Sequence, residues 1–185
     1  MRIVAGKFRG KQLLSPDDDS IRPTADRVRE SVFNILGSRF GPTFDGLRVL
    51  DLFAGTGAMG LEALSRGAER ASFIETERSA AEAIKKNIAA CREQPRAQLF
   101  VNDALKPPRV ALNWGPAALV FLDPPYGKDL LVPALNALCE AGWIAPEALL
   151  VAEMHRKDAF AAPEGFELLD DREYGKARFV LLRHL

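Results

Sequence analysis

One short run, Arg48 to Gly67 (RVLDLFAGTGAMGLEALSRG), constrains this chain more than any other part of it. Val49 to Leu52 is apolar and β-prone, Gly55, Gly57 and Gly60 follow at G-x-G-x-x-G spacing, and Ala58 to Ser65 reads as a helix. Glycines allow positive φ and let a ligand approach with no Cβ in the way, while the free N–H groups of the helix N-terminus point into the same space. The plain alternative is a tight strand-to-helix turn that binds nothing.

Asp51 separates the possible ligands. A carboxylate at the end of the strand, facing the glycine loop, repels a pyrophosphate and makes a dinucleotide awkward. S-adenosylmethionine has no phosphate, and its ammonium can be held by a carboxylate directly or through water. Taken alone, Asp51 also reads as a capping or turn residue. The string DLFAGTGAMGLEALSRGA resembles the first motif of class I methyltransferases.

With 185 residues, 48% of them hydrophobic, the chain can bury a proper core, and its length suggests one domain. The 25 basic and 25 acidic residues cancel, so a basic surface, if there is one, must be local. It gathers at the front, with Arg2, Lys7, Arg9 and Lys11 in the first 15 residues and Arg22, Arg27 and Arg29 soon after. Cys91, Cys139, His155 and His184 have no metal-ligand spacing, so neither a metal site nor a disulfide framework is expected. No run of about 18 apolar residues exists and MRIVAGKFRGK has no signal-peptide core, from which a cytoplasmic protein without membrane contact is expected.

In chain order, residues 2–14 suggest a basic hairpin or extended arm, and SPDDDS breaks regular structure. Val28, Val32, Ile35 and Leu36 recur at helical spacing, with Thr24 as N-cap and an end near Gly37. After a Pro/Gly loop from Gly41 to Gly46 comes the strand already described. Further strands are expected at Ala71–Ile74, Ala97–Val101, Ala118–Leu122 and Ala148–Ala152, helices at Ser79–Ala90 and Leu130–Ala141, and a closing hairpin from Phe166–Asp171 and Ala177–Leu182 around Tyr174-Gly175. Strand–helix alternation with continuous apolar strands predicts an α/β fold, a mostly parallel seven-stranded sheet covered by helices on both faces. In such a sheet a ligand lies beyond the carboxyl ends of the strands.

The residues at those ends carry the chemistry. Glu75 falls 20 residues after Gly55, about where a ribose-binding acid belongs, and Glu77 is its rival. Asp103, in VNDAL, can accept from an adenine amino group or simply bond its own turn. The fourth strand runs into Asp123-Pro124-Pro125-Tyr126-Gly127, the most specific signal in the chain. Two prolines stiffen the loop and leave its carbonyls as acceptors. A nucleobase amino nitrogen is a poor nucleophile because its lone pair is delocalised. Acceptors at Asp123 and Pro124 can bind its two protons and aim the lone pair at a methyl donor, while Tyr126 offers a ring face to an extruded base. Without the glycine loop the same residues would read as a rigid turn with a packed tyrosine.

D-P-P-Y resembles the fourth motif of methyltransferases that modify exocyclic amino groups of DNA and RNA bases. With RIVAGKFRGKQL and RPTADRVRESVFNIL, nearly the whole chain resembles the RsmD family, the 16S ribosomal RNA guanine-N2 methyltransferases of bacteria. That resemblance implies a Rossmann-like class I fold with S-adenosylmethionine as cofactor and S-adenosylhomocysteine as product. It assigns Asp51, Phe53, Gly55, Gly57, Glu75, Asp103 and Ala104 to the cofactor and Asp123, Pro124, Pro125 and Tyr126 to the target guanine. Arg2, Lys7, Arg9, Lys11, Arg22 and Arg27 would grip RNA. It divides the chain into a basic arm and helix covering RNA and cofactor (1–45) and a methyltransferase domain (46–185), one compact unit expected to act as a monomer on 16S rRNA in the small ribosomal subunit. D-P-P-Y does not distinguish bases, so DNA adenine or cytosine and protein amides stay open as substrates. Dinucleotide-dependent oxidoreduction and cofactor-binding RNA chaperoning are the readings of another class.

Overall fold

The computed structural model describes residues 1–15 and 23–185, so Arg22 and most of SPDDDS lie outside the described residues. Seven strands form one sheet in the order β3-β2-β1-β4-β5-β7-β6. They are β1 (Arg48–Leu52), β2 (Arg70–Glu75), β3 (Ala97–Val101), β4 (Ala117–Leu122), β5 (Ile144–His155), β6 (Phe166–Tyr174) and β7 (Ala177–His184). The first five are parallel, whereas β7 runs antiparallel between β5 and β6. This is the expected α/β fold.

Neighbouring residues of a strand point to opposite faces, and both faces here are covered, which is why β4 reads as an unbroken apolar run and β1 as one interrupted by Asp51. Val49, Phe73, Leu119 and Phe121 meet α1 (Pro23–Phe40), α2 (Ala58–Ser65) and α3 (Arg78–Cys91) on one face. Leu50, Ile74, Val120 and Leu122 meet α4 (Leu131–Ala141) and Trp143 on the other. Helix α3 keeps Ala80, Ile84, Asn87, Ile88 and Cys91 buried at helical spacing.

The first residues form a hairpin closed by a bridge between Arg2 and Gln12 and a 3-10 turn at Gly6–Phe8. It is no loose arm. Ile3 and Leu13 enter the core beside Val32, Phe33 and Leu61. Fully buried Glu62 accepts from the Val4 and Ala5 N–H groups at 2.7 and 3.0 Å, and Ser65 Oγ donates to the Ala5 carbonyl at 2.6 Å. Gly6 lies so close to α2, with φ of +77°, that an added Cβ would stand 2.0 Å from the Ser65 carbonyl oxygen.

Several boundaries differ from the sequence reading. Helix α1 begins at Pro23, suited to a first helical position by its fixed φ, so Thr24 lies inside the first turn. It continues through Gly37 to Phe40, because Gly41, at φ +96°, is the glycine that leaves helical space. Strand β5 is more than twice the expected length, and its register against β4 shifts between Ala117 and Leu119. Both strands of the final hairpin also run further than expected, to Tyr174 and His184.

Candidate active site

Strand order reverses between β1 and β4, and the carboxyl ends of β1 to β5 surround an open cavity of about 640 Å³. Lateral bonds brace these ends: Ala54 N donates to the Ile74 carbonyl at 3.2 Å and Asn102 N to the Glu75 carbonyl at 3.2 Å. The lining includes Phe53, Gly55, Glu75, Asp103 and Ala104 from the first three strand ends, and Asp123, Pro124, Pro125 and Tyr126 from the fourth. Residues far apart in the chain thus share one wall.

The glycines have separate roles. Gly55 has open space where a Cβ would be, at φ +55°, and it faces the cavity. Gly57, at φ +75°, is the N-cap of α2, and a Cβ there would press on Phe73 and Ile84. At Gly60 a Cβ would come within 2.4 Å of the Phe73 ring, so this glycine sets helix-to-strand packing. Phe53, also lining the cavity, holds φ at +59°, a left-handed conformation that costs a non-glycine residue about 1–3 kcal/mol.

Each acid is held differently. The Glu75 carboxylate accepts from the N–H groups of Gly55, Thr76 and Glu77, each at 2.8 Å, which takes most of its acceptor capacity and fixes its direction. Glu77 instead caps α3 through the Ala80 N–H at 2.7 Å, and hydrogen bonds from Ser79 and Ala80 hold it below the usual range. Asp103 accepts from the Leu105 N–H at 2.9 Å, so it is a turn residue that also faces the cavity. Asp51 is not in the cavity wall. It is buried behind the loop, its Oδ2 accepting from the Gly60 N–H at 2.9 Å. Burial pushes Asp51 up to about 8, with Asp123 and Glu75 adding to the rise and the Gly60 hydrogen bond opposing it.

Asp123 sits at the cavity floor, its backbone N–H 3.4 Å from the Leu52 carbonyl. Surrounding protein raises it to about 7, and the charge of Glu153 contributes. Water in the open cavity still reaches this side chain and works against that rise. Glu153, on β5, was not foreseen. Burial raises it as well, and it accepts a hydrogen bond from the Tyr126 hydroxyl. Tyr126 packs its ring edge against His155 at 5.7 Å and separates the main cavity from a smaller one of about 110 Å³ lined by Val132, Met154 and Phe160. Thr76, Asn102 and Lys128 complete the wall of the main cavity. Position alone signalled Glu153: like Glu75 and Asp123, it directly follows an apolar run, here Ala148–Ala152.

The basic residues of the N-terminal segment lie outside this wall. Arg2 faces Asp26 at 3.3 Å, Lys7 faces Glu93 at 3.4 Å and Lys11 donates to the Ala90 carbonyl at the end of α3. Arg9 and Arg27 are exposed.

The family model described as Conserved hypothetical protein 95 matches residues 1–183. The chain belongs to that family. A Ribosomal RNA small subunit methyltransferase D of Haemophilus influenzae is 35% identical over 188 residues, spanning all of this chain and 94% of the relative. The protein of the same description from Escherichia coli K12 is 36% identical over 98% of this chain and 88% of its own. Among solved structures, a putative methylase from Haemophilus influenzae superposes with a TM-score of 0.80 at 32% identity, covering all of this chain and 98% of that one. A putative methyltransferase from Escherichia coli gives 0.79 at 33%, covering 100% and 97%. The family resemblance and the Rossmann-like class I methyltransferase fold are thereby borne out.

Proposed function

We propose that this family member transfers a methyl group from S-adenosylmethionine to the exocyclic N2 of a guanine in 16S rRNA of the small ribosomal subunit. One observation carries the chemistry: the D-P-P-Y loop and the β1 to β3 ends share a single cavity. The relatives described as small-subunit rRNA methyltransferases favour RNA over DNA or a protein amide.

The residues fit such a cofactor. Glu75, oriented by three N–H groups, faces the region for the ribose, and Asp103 and Ala104 lie where an adenine would rest. Gly55 permits close approach, and Asp51 places negative charge behind the loop for an ammonium. When bound, the cofactor supplies an electrophilic methyl group. The chain supplies the rest. Asp123 and the Pro124 carbonyl accept the amino protons and orient the nitrogen lone pair, and Tyr126 stacks on the base. Once methylated the nitrogen is strongly acidic, and Asp123, already raised towards neutrality beside Glu153, can take its proton.

We read the hairpin and α1 as the part that covers RNA and cofactor, within a cytoplasmic monomer whose cavity needs no second copy. None of the described helices is long and apolar enough to cross a membrane. The test is mass spectrometry of rRNA nucleosides from cells with and without the gene. N2-methylguanosine at full level in 16S rRNA without the gene would overturn the assignment.

A further inference from the structure

Positive charge is unevenly committed on this surface. On the hairpin, three of the four basic side chains already engage an acid or a carbonyl. Past the carboxyl end of β5, whose Glu153 lines the cavity, the reverse holds. Arg156 and Lys157 follow β5, and Lys176 lies in the β6–β7 turn; all three are exposed and, among the described residues, have no carboxylate within 4 Å. The Arg156 N–H donates to the Lys176 carbonyl at 2.9 Å, extending the His155–Ala177 pairing, so the two turns form one edge. His155 brings that edge against the Tyr126 ring, and Lys128 stands in the cavity wall. The acid nearest in sequence, Asp158, turns inward to the His155 N–H at 3.1 Å.

A site for an RNA base has an electrostatic problem here. Glu75, Asp103, Asp123 and Glu153 line the cavity, and an RNA backbone brought to its mouth meets the negative field of those that are ionised. The chain as a whole has no net charge to offset it. A local cationic edge beside the mouth can, and exposed Lys and Arg side chains hold phosphates without regard to sequence. We propose that Arg156, Lys157 and Lys176 form a phosphate-binding rim for the RNA backbone flanking the target base, an inference that rests on the RNA-methyltransferase reading.

The experiment compares the full-length protein with the triple variant Arg156→Ala/Lys157→Ala/Lys176→Ala and with a charge-matched control, Arg39→Ala/Lys86→Ala/Arg109→Ala, whose exposed residues sit elsewhere. Binding to small ribosomal particles is measured across a salt series, with calorimetric titration of S-adenosylmethionine in parallel. Each phosphate contact contributes roughly 0.7–0.9 to the salt slope, so the rim variant should lose about two units of slope and bind about 10- to 100-fold more weakly near 0.1 M salt. Cofactor affinity should be that of the wild type, and the control should keep its slope. A rim variant with wild-type slope and affinity, or a control that loses as much, overturns the rim alone. Wild-type protein that binds no RNA removes the function reading together with it.

Discussion

The Tyr126 hydroxyl donates a hydrogen bond to Glu153 across the cavity that holds Asp123. This bond ties the D-P-P-Y loop to β5, and it leaves a second carboxylate beside the one that would receive a proton. Glu153 pushes Asp123 upward by its charge. Glu153→Gln removes that charge and keeps an acceptor for Tyr126. A protonated Asp123 has lost acceptor capacity, so wild-type kcat/KM should rise with pH towards a midpoint near 7, and in Glu153→Gln the midpoint should move to lower pH. An acidic limb that stays in place would show that the two carboxyls do not communicate.

Asp123 itself should govern turnover and leave cofactor binding nearly alone. Asp123→Ala removes both charge and acceptor, and by analogy with losing one preorganised transition-state partner it should slow methyl transfer roughly 100- to 1,000-fold. Asp123→Asn should fall between. Single-turnover transfer onto small ribosomal particles, with calorimetry of the cofactor alongside, separates the two effects. Near-normal turnover in the alanine variant would reduce Asp123 to a turn residue.

The parts legible in the sequence were those written in short-range pattern. The glycine loop, the apolar runs of β1 and β4 and the acid at each strand end appear within a few residues of one another, and the cavity follows from where parallel strands end. Partners distant in the chain were not legible. Lys7 and Glu93 are 86 residues apart, and nothing local says that the hairpin charge is already paired. Gly60 completes the G-x-G-x-x-G spacing, yet what requires a glycine there is the Phe73 ring, 13 residues away in the chain. Strand β5 was shortened because Pro146 and Glu147, the latter at φ +60°, interrupt the apolar pattern while the strand continues past them. The apolar pattern stops at Ala152, while β5 carries Glu153 on to His155.

Glu62 should be the most sensitive polar position for stability. It is fully buried, holds Val4 and Ala5, and pairs with Arg66 at 2.9 Å and Arg29 at 3.8 Å. Glu62→Gln leaves two arginines short of a partner and turns an N–H donor towards groups that are themselves donors. A loss of about 3 kcal/mol is expected, with the hairpin opening first. Urea unfolding and limited proteolysis near residues 1–14 measure both, and wild-type stability together with a resistant hairpin would contradict the packing described.

Cofactor binding should release protons. Burial raises Asp51 to about 8 and Asp123 to about 7 in the free protein, so near neutrality both hold part of a proton that an ordinary carboxyl would have lost. Because these folded values are raised, the stability they contribute is greatest below the ordinary carboxyl range and falls as pH rises towards 8. A cation in the cavity reverses the preference by favouring the ionised forms. S-adenosylmethionine brings a sulfonium and an ammonium against one carboxylate, whereas S-adenosylhomocysteine lacks the sulfonium charge. Affinity for the first should therefore climb between roughly pH 5.5 and 8, and more steeply than for the second. Calorimetric titration near pH 6.5 in buffers of different ionisation enthalpy counts the protons directly. Asp51→Asn should lower the count. Heats that do not depend on the buffer would mean that both carboxyls are already ionised in the free protein, and that their burial is relieved by water within the open site.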